Sequence, residues 1–467
     1  MPRAIGRVDR DVTETTVERL NRRQALMSTL FGAGYVGLRA LATGLPASFL
    51  LDPRRALAQA ESDAMASGDA MAPCASSSQA QFVIFNTSGN GDPINASVPG
   101  TYGVQGVFHS PDPTMAQTNL TLQGQTYAAA APWATLPQPV LDRTCFWHIM
   151  TNTPVHPKEP DVLSLMDATL ANAMLPAILA QQLAPCLGTI QPQPMSIGAT
   201  SPSEGLTYGG QALPIIPPIA LKATLTNPAG PLTNLQPLRD QTLNQLYALY
   251  KNNATAAQQA YIDSMVTSQQ QVRSINQSLL AQLSAITDNT ANSQILAAIT
   301  LIQMKVTPVI AVHIPFGGDN HHDPNLQAET TQTVAGVATI ASLLSQLAAA
   351  GLADQVTFMS LNVFGRTLAS NATSGINGRQ HNPNHQVSVT IGKPFRGGVI
   401  GGIAPLQGDY GCVAFDASTG APNPSGNVTP LASLSAYGQT MLAAVGVDPT
   451  VIAEQVTGGA VVTGALA

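Results

Sequence analysis

Charge is what this sequence has least of. Asp, Glu, Lys and Arg make up 10% of its 467 residues, aromatic residues 5%, and there are four cysteines and two tryptophans. Nine arginines fall within residues 1–60, leaving 11 basic against 21 acidic residues over 61–467. A body this acidic, without basic clusters, is a poor nucleic-acid binder and a poor ligand for anionic membranes. No CxxC spacing exists, which argues against a zinc ribbon or a thioredoxin-like site. No GxSxG elbow, no P-loop and no GxGxxG opening a βαβ unit occurs, so the named nucleophile and nucleotide motifs are absent. No stretch beyond the first 60 residues reads as an uncharged apolar run of the roughly 18 residues that a membrane span needs.

What is present begins with an address. In "NRRQALMSTLFGAGYVGLRALATGLPASFLL", Arg22 and Arg23 precede a weakly apolar stretch, and Ala58-Gln59-Ala60 offers a small-x-small cleavage site. Residues 1–60 thus resemble a twin-arginine export signal, implying a periplasmic or secreted bacterial protein with no stable span after processing. In an oxidising compartment Cys74, Cys145, Cys186 and Cys412 would pair as two disulfides. Residues 61–80 are small and polar, a linker. Residues 81–467 then read as one domain.

Apolar runs of strand length alternate with helical spacing. "QFVIFN", "RTCFWHIM", "TPVIAVHI", "QVTFMSLNVF" and "QVSVTIG" read as strands. "DVLSLMDATLANAMLPAILAQQLA", a region at about 235–303, "ETTQTVAGVATIASLLSQLAAAGLA" and "PLASLSAYGQTMLAAVG" read as helices. Residues 187–232, dense in Pro and Gly, are not placed. Strand and helix in alternation predict an α/β fold whose sheet is mostly parallel and sandwiched by helices. Sites in such sheets form at the carboxyl ends of the strands. The polar clusters fall there: Asp92, Asp319 with His321, Asn362, and the loop of His381 and His385.

"FGGDNHHDPN" (316–325) is the one stretch with two adjacent histidines among carboxylates. Asp and His on converging loops suit a divalent cation, though zinc, manganese, iron and calcium are not distinguishable. The plainer reading is a capped turn, since Asp and Asn favour strand ends. His381 and His385 are four apart, but Pro383 between them rules out helical ligation. His148 and His156 read as packed or hydrogen-bonding histidines, and His313 as a core residue of a strand. "KPFRGGVIGG" reads as a turn-rich loop.

Together, "GDPIN" (91–95), "FGGDNH" (316–321), "FGRT" (364–367), "GRQHNPNH" (378–385) and "KPFRGGVIGG" (393–402) resemble the successive blocks of a bacterial exported family of unknown function, numbered fifteen-oh-one. That family is placed in the alkaline phosphatase/sulfatase superfamily. The resemblance implies an alkaline phosphatase-like fold, with Asp92, Asp319, His321 and His381 as metal ligands. Arg366 matches the Arg of "EFGR", and His156 falls on the His of an "SH" block. Val363 and Gln380 stand where the family has carboxylates, and Val155 where it has serine. A two-metal esterase needs several anionic ligands, so a reduced metal site is expected.

Two functions follow as expectations. One is a metal-dependent hydrolase of phosphate or sulfate esters, with His322 or His385 as auxiliary ligand or proton donor. Arg366 would steady the anionic ester, and Thr87, Ser88, Thr151 and Thr153 are candidate nucleophiles. The other is a non-catalytic binding or assembly protein of the envelope on the same fold. Glycan binding through Trp133 and Trp147 has only generic support.

Overall fold

The computed structural model describes residues 79–199, 204–225, 236–252, 277–369 and 377–467, with positions 255, 259 and 266 besides. The expected export signal and most of the linker lie outside these residues, as does Cys74.

Seven strands form the central sheet: β1 (Phe82–Ser88), β2 (Thr144–Ile149), β3 (Met195–Ser196), β4 (Val309–Val312), β5 (Val356–Asn362), β6 (Gln386–Ile391) and β7 (Gly398–Ile400). Their spatial order is β7-β2-β6-β5-β1-β4-β3. β1 runs parallel to β4 and β5, β4 to β3, and β2 to β7, while β6 runs antiparallel to both of its neighbours. The sheet is therefore mostly parallel, with one reversed strand, and helices cover both faces. β1, buried along its whole length, lies inside the sheet between β5 and β4, as near-continuous apolar strands do.

Alternation along the strands divides the core. Phe82 and Ile84 of β1, Ile310 and Val312 of β4 and Phe358 of β5 face one cluster. Val83, Phe85, Val309, Ala311, Met359 and Leu361 face the other. The first face is covered by α3 (Pro218–Leu225), α5 (Gln277–Ala285), α6 (Ala291–Gln303) and α7 (Gln327–Ala349). The second is covered by α1 (Glu159–Leu163), α2 (Leu175–Leu187), α8 (Ser433–Ala444) and α9 (Pro449–Gln455). A further helix, α4 (Gln236–Asn252), falls within the expected helical region. α7 is long and apolar enough to cross a membrane by length and composition alone. Its Val337, Ile340, Leu343 and Leu347 are buried in the first cluster.

Each tryptophan anchors one face. Trp133 packs edge-on against Phe146 at 5.1 Å in the first cluster, and Trp147 against Tyr437 at 5.5 Å in the second. Both are fully buried, which removes them from any glycan surface. The Trp147 indole N–H donates to Thr390 Oγ1 at 3.1 Å, the partner a buried indole requires.

Three expectations change on the structure. "DVLSLMDATLANAMLPAILAQQLA" is two helices, α1 and α2, broken where Leu165, Met166 and Asp167 take left-handed backbone. That turn drives Leu165 into the core against Gly438 of α8, where a Cβ would meet its Cδ1 at 2.2 Å. "KPFRGGVIGG" is partly a strand, because Val399 and Ile400 of β7 pair with Phe146 and Trp147. The pairing of all four cysteines fails: Cys145 and Cys412 are buried free thiols. Burial pushes both up to about 12, and Cys145 Sγ donates to the Arg396 carbonyl at 2.9 Å.

Candidate metal centre

The parallel strands β1, β2, β4 and β5 all end at one edge, and the reversed strand β6 begins there. The loops after β1, β2, β4 and β5 and the loop before β6 therefore meet. A two-residue ribbon locks two of them together, pairing Gly365 with Asn382 and Arg366 with His381.

At this edge His156, Asp319, His321 and His381 bring one donor atom each to within 4.8 Å of one another. His321 Nε2 lies 2.8 Å from His381 Nε2 and 3.3 Å from Asp319 Oδ1, and His156 Nε2 lies 3.7 Å from Asp319 Oδ2. The outer nitrogens fix the tautomers. His156 Nδ1 sits 2.7 Å from the Gly89 carbonyl and His381 Nδ1 2.5 Å from the Pro154 carbonyl. A carbonyl only accepts, so both Nδ1 atoms carry hydrogen, and Nε2 is the atom each ring turns toward the group. This is the second-shell arrangement that metal-bound imidazoles adopt. Three imidazoles and one carboxylate form a donor set suited to a borderline cation such as zinc.

Charge favours the same use. Desolvation pushes His381 down to about 4, helped by Arg366 and His156, so its ring is neutral at physiological pH. Partial burial alone would raise Asp319; Arg366, His321 and His156 outweigh it and hold the carboxyl below its usual range. Asp319 keeps a side-chain exposure of 48%, and His156 and His321 32%, so the centre opens to solvent.

Arg366 lies beneath, fully buried. Its guanidinium donates to the Gly91 and Asn90 carbonyls and, at 3.0 Å, to Asp319 Oδ1. It steadies the carboxylate of the centre, and being buried it does not face an ester.

Not every expected residue joins the group. Asp92 is fully buried beneath it, accepting from Ser88 Oγ at 3.1 Å, because the turn at Gly91 and Pro93 folds it inward. Burial raises its pKa against the pull of His313. His322 is exposed and outside the group. His385 is buried against His148 and offers no proton at the surface. Thr87 donates to Glu159, a buried acid that desolvation, with Glu204 and Asp92 adding repulsion, holds well above the usual range. Thr87, Ser88, Thr151 and Thr153 are all buried.

Sequence reasoning passed over His156 as a ligand; its place at the end of β2, in the block resembling "SH", was the available signal. It also passed over the buried pair that braces the loops. Arg379 Nε and Nη2 donate to Glu329 at 2.7 and 3.2 Å, and its Nη1 donates to the Thr367 carbonyl. Asn320 Nδ2 donates to the same Glu329 at 3.1 Å, and its carbonyl accepts from Arg379 N at 3.0 Å. Asp323 meanwhile accepts from the amides of Ala328 and Glu329 at the start of α7. Gly378 lets the two loops touch, since a Cβ there would meet the carbonyls of Asn320 and His321 at 2.4 Å. "FGGDNHHDPN" is thus both things it could be: Asp319 and His321 join the donor cluster, and Asp323 is a helix cap.

Comparison with known families gives one finding: residues 225–457 match a family described as "Protein of unknown function (DUF1501)". The match supports the family resemblance seen in the sequence. No curated protein matches the chain.

Proposed function

We propose that this protein is an exported metal-dependent hydrolase of phosphate or sulfate esters, of the alkaline phosphatase/sulfatase type, with a centre reduced to one cation. The observation that carries this reading is the convergence of His156, Asp319, His321 and His381 at a solvent-open sheet edge. A divalent cation held there would supply Lewis acidity and lower the pKa of a bound water. The chain's own contribution is orientation. Gly89 and Pro154 aim two imidazoles, while Arg366 keeps Asp319 anionic and in place. With Thr87 and Ser88 buried on Glu159 and Asp92, the attacking oxygen in this reading comes from water.

A second reading has one observation in its favour. Four protein donors fill a tetrahedral shell, as in a closed structural site, and Val363 and Gln380 replace two family acids. That suits a non-catalytic binding or assembly protein of the envelope.

Elemental analysis of the purified full chain, beside the Asp319→Ala, His321→Ala double variant, decides first. A stoichiometric cation lost in the variant, together with variant-sensitive hydrolysis of an aryl phosphate or aryl sulfate, supports the hydrolase. A cation without hydrolysis of either ester moves the second reading ahead. Neither protein taking up a cation after supplementation sinks the centre itself.

A further inference from the structure

A second histidine group lies below the centre, and its hydrogen bonds run in one direction. His148 Nε2 is 2.9 Å from the Pro99 carbonyl, so that nitrogen carries hydrogen. His148 Nδ1 is then an acceptor, 2.9 Å from His385 Nε2, which must donate. His385 Nδ1 in turn accepts from Asn95 Nδ2 at 3.3 Å. The same Asn95 amide donates to the Arg366 carbonyl at 2.7 Å, and its Oδ1 accepts from Arg366 N at 3.2 Å. His148, His385, Asn95 and Arg366 are all fully buried.

The fixed carbonyl of Pro99 thus determines each hydrogen in turn as far as Asn95, which grips the Arg366 backbone from both sides. Arg366 then reaches Asp319 Oδ1. Neither histidine belongs to the donor cluster.

We infer that His148 and His385 are positioning residues for the cation centre, acting through Asn95 and Arg366 to set Asp319. They neither bind the cation nor shuttle a proton at the surface. This inference rests on the cation-centre reading. Second-shell partners of metal ligands typically carry about ten- to hundredfold in affinity, and that is the range expected here, passed on through Asn95 and Arg366.

The test uses the full chain stripped by chelator and titrated with zinc alone, comparing wild type with His385→Gln and Asn95→Ser. Expected is one zinc per chain in every protein, with affinity weakened about ten- to hundredfold in the variants. Hydrogen exchange over residues 364–368 should rise in both variants while the strands stay protected. Wild-type affinity in a folded His385→Gln protein overturns the inference. So does unchanged exchange at 364–368, which can be read even if the wild type binds no zinc and the cation centre fails. Should His385→Gln not fold, Asn95→Ser alone carries both readouts, since it cuts the chain after the histidine pair.

Discussion

Two sets of histidines occupy neighbouring layers at the same sheet edge, and they are wired oppositely. In the upper set His156, His321 and His381 turn their Nε2 atoms inward to a shared point beside Asp319. In the lower set His148 and His385 hand one hydrogen bond on to the next, and both nitrogens of each ring are occupied. Residue type does not separate a ligand from a brace. What separates them is where the Nε2 atoms go: in the upper set they gather beside one carboxylate, whereas in the lower set they are taken up by Pro99 and by the neighbouring ring. The same contrast holds for the arginines. Arg379 is spent on Glu329 and backbone carbonyls within the frame, whereas Arg366 reaches out of it to the centre.

The contrast can be broken hardest at the frame. Glu329→Ala leaves Arg379 buried without its counter-charge, which costs about 3–5 kcal/mol for a pair of this kind. Urea denaturation should show a loss of unfolding free energy of that size. A shift below about 1 kcal/mol would mean that water or another acid reaches Arg379 freely, and that frame and centre are not distinct.

Proton binding gives a middle-sized effect. Burial pushes His148 down to about 4 and His385 well below its ordinary value. The unfolded chain therefore takes up more protons than the folded one between pH about 6.5 and 4. Stability is complete above that window and falls as pH drops through it, by at most about 1.4 kcal/mol per pH unit for each buried histidine. Denaturation of chelator-treated protein from pH 7.5 to 5 should show the slope, reduced in His148→Gln. An unchanged slope in that variant would place the acid sensitivity elsewhere.

The smallest effect separates two adjacent residues. In chelator-treated protein, His321→Ala and His322→Ala should each alter stability by less than about 0.5 kcal/mol, as changes away from the core do. His321→Ala alone should lower the bound cation in elemental analysis. Equal loss from both would remove His321 from the centre's special position.

Much of this arrangement was legible beforehand, for identifiable reasons. β1, β4 and β5 announce themselves because buried parallel strands are apolar on both faces, and β6 does so through its alternating β-branched residues Val387, Val389 and Ile391. Asp319, His321 and His381 were visible as strand-end polar residues, and Arg366 through its family-like block. His156 had only its match to the "SH" block, because the turn-rich "TNTPVHPKEP" carries no ligand spacing of its own until β2 is known to end beside β5's neighbour. Asp92 misled for a complementary reason: its turn sits at the expected edge, but backbone direction through Gly91 and Pro93 decides that the carboxyl points inward. β3 is two residues long, too short for any periodicity to show. Glu159 lies in the same turn-rich stretch as His156, and only its packing against Thr87 reveals a buried acid.

The reversal of β6 has a kinetic consequence. His381 precedes β6, whose partners β2 and β5 lie far from one another along the chain, with Cα pairs such as Gln386 with Ile149. Contacts of such long sequence separation form late, because loop closure must be completed before they are rewarded. β1 reaches β5 across a still longer separation, Phe82 to Val356, so the loops that carry the donors meet only once the sheet is paired, and a cation has little to grip until then. Metal uptake in this protein would mark the end of folding rather than start it, and metal loss would be among the first signs that the edge has begun to open.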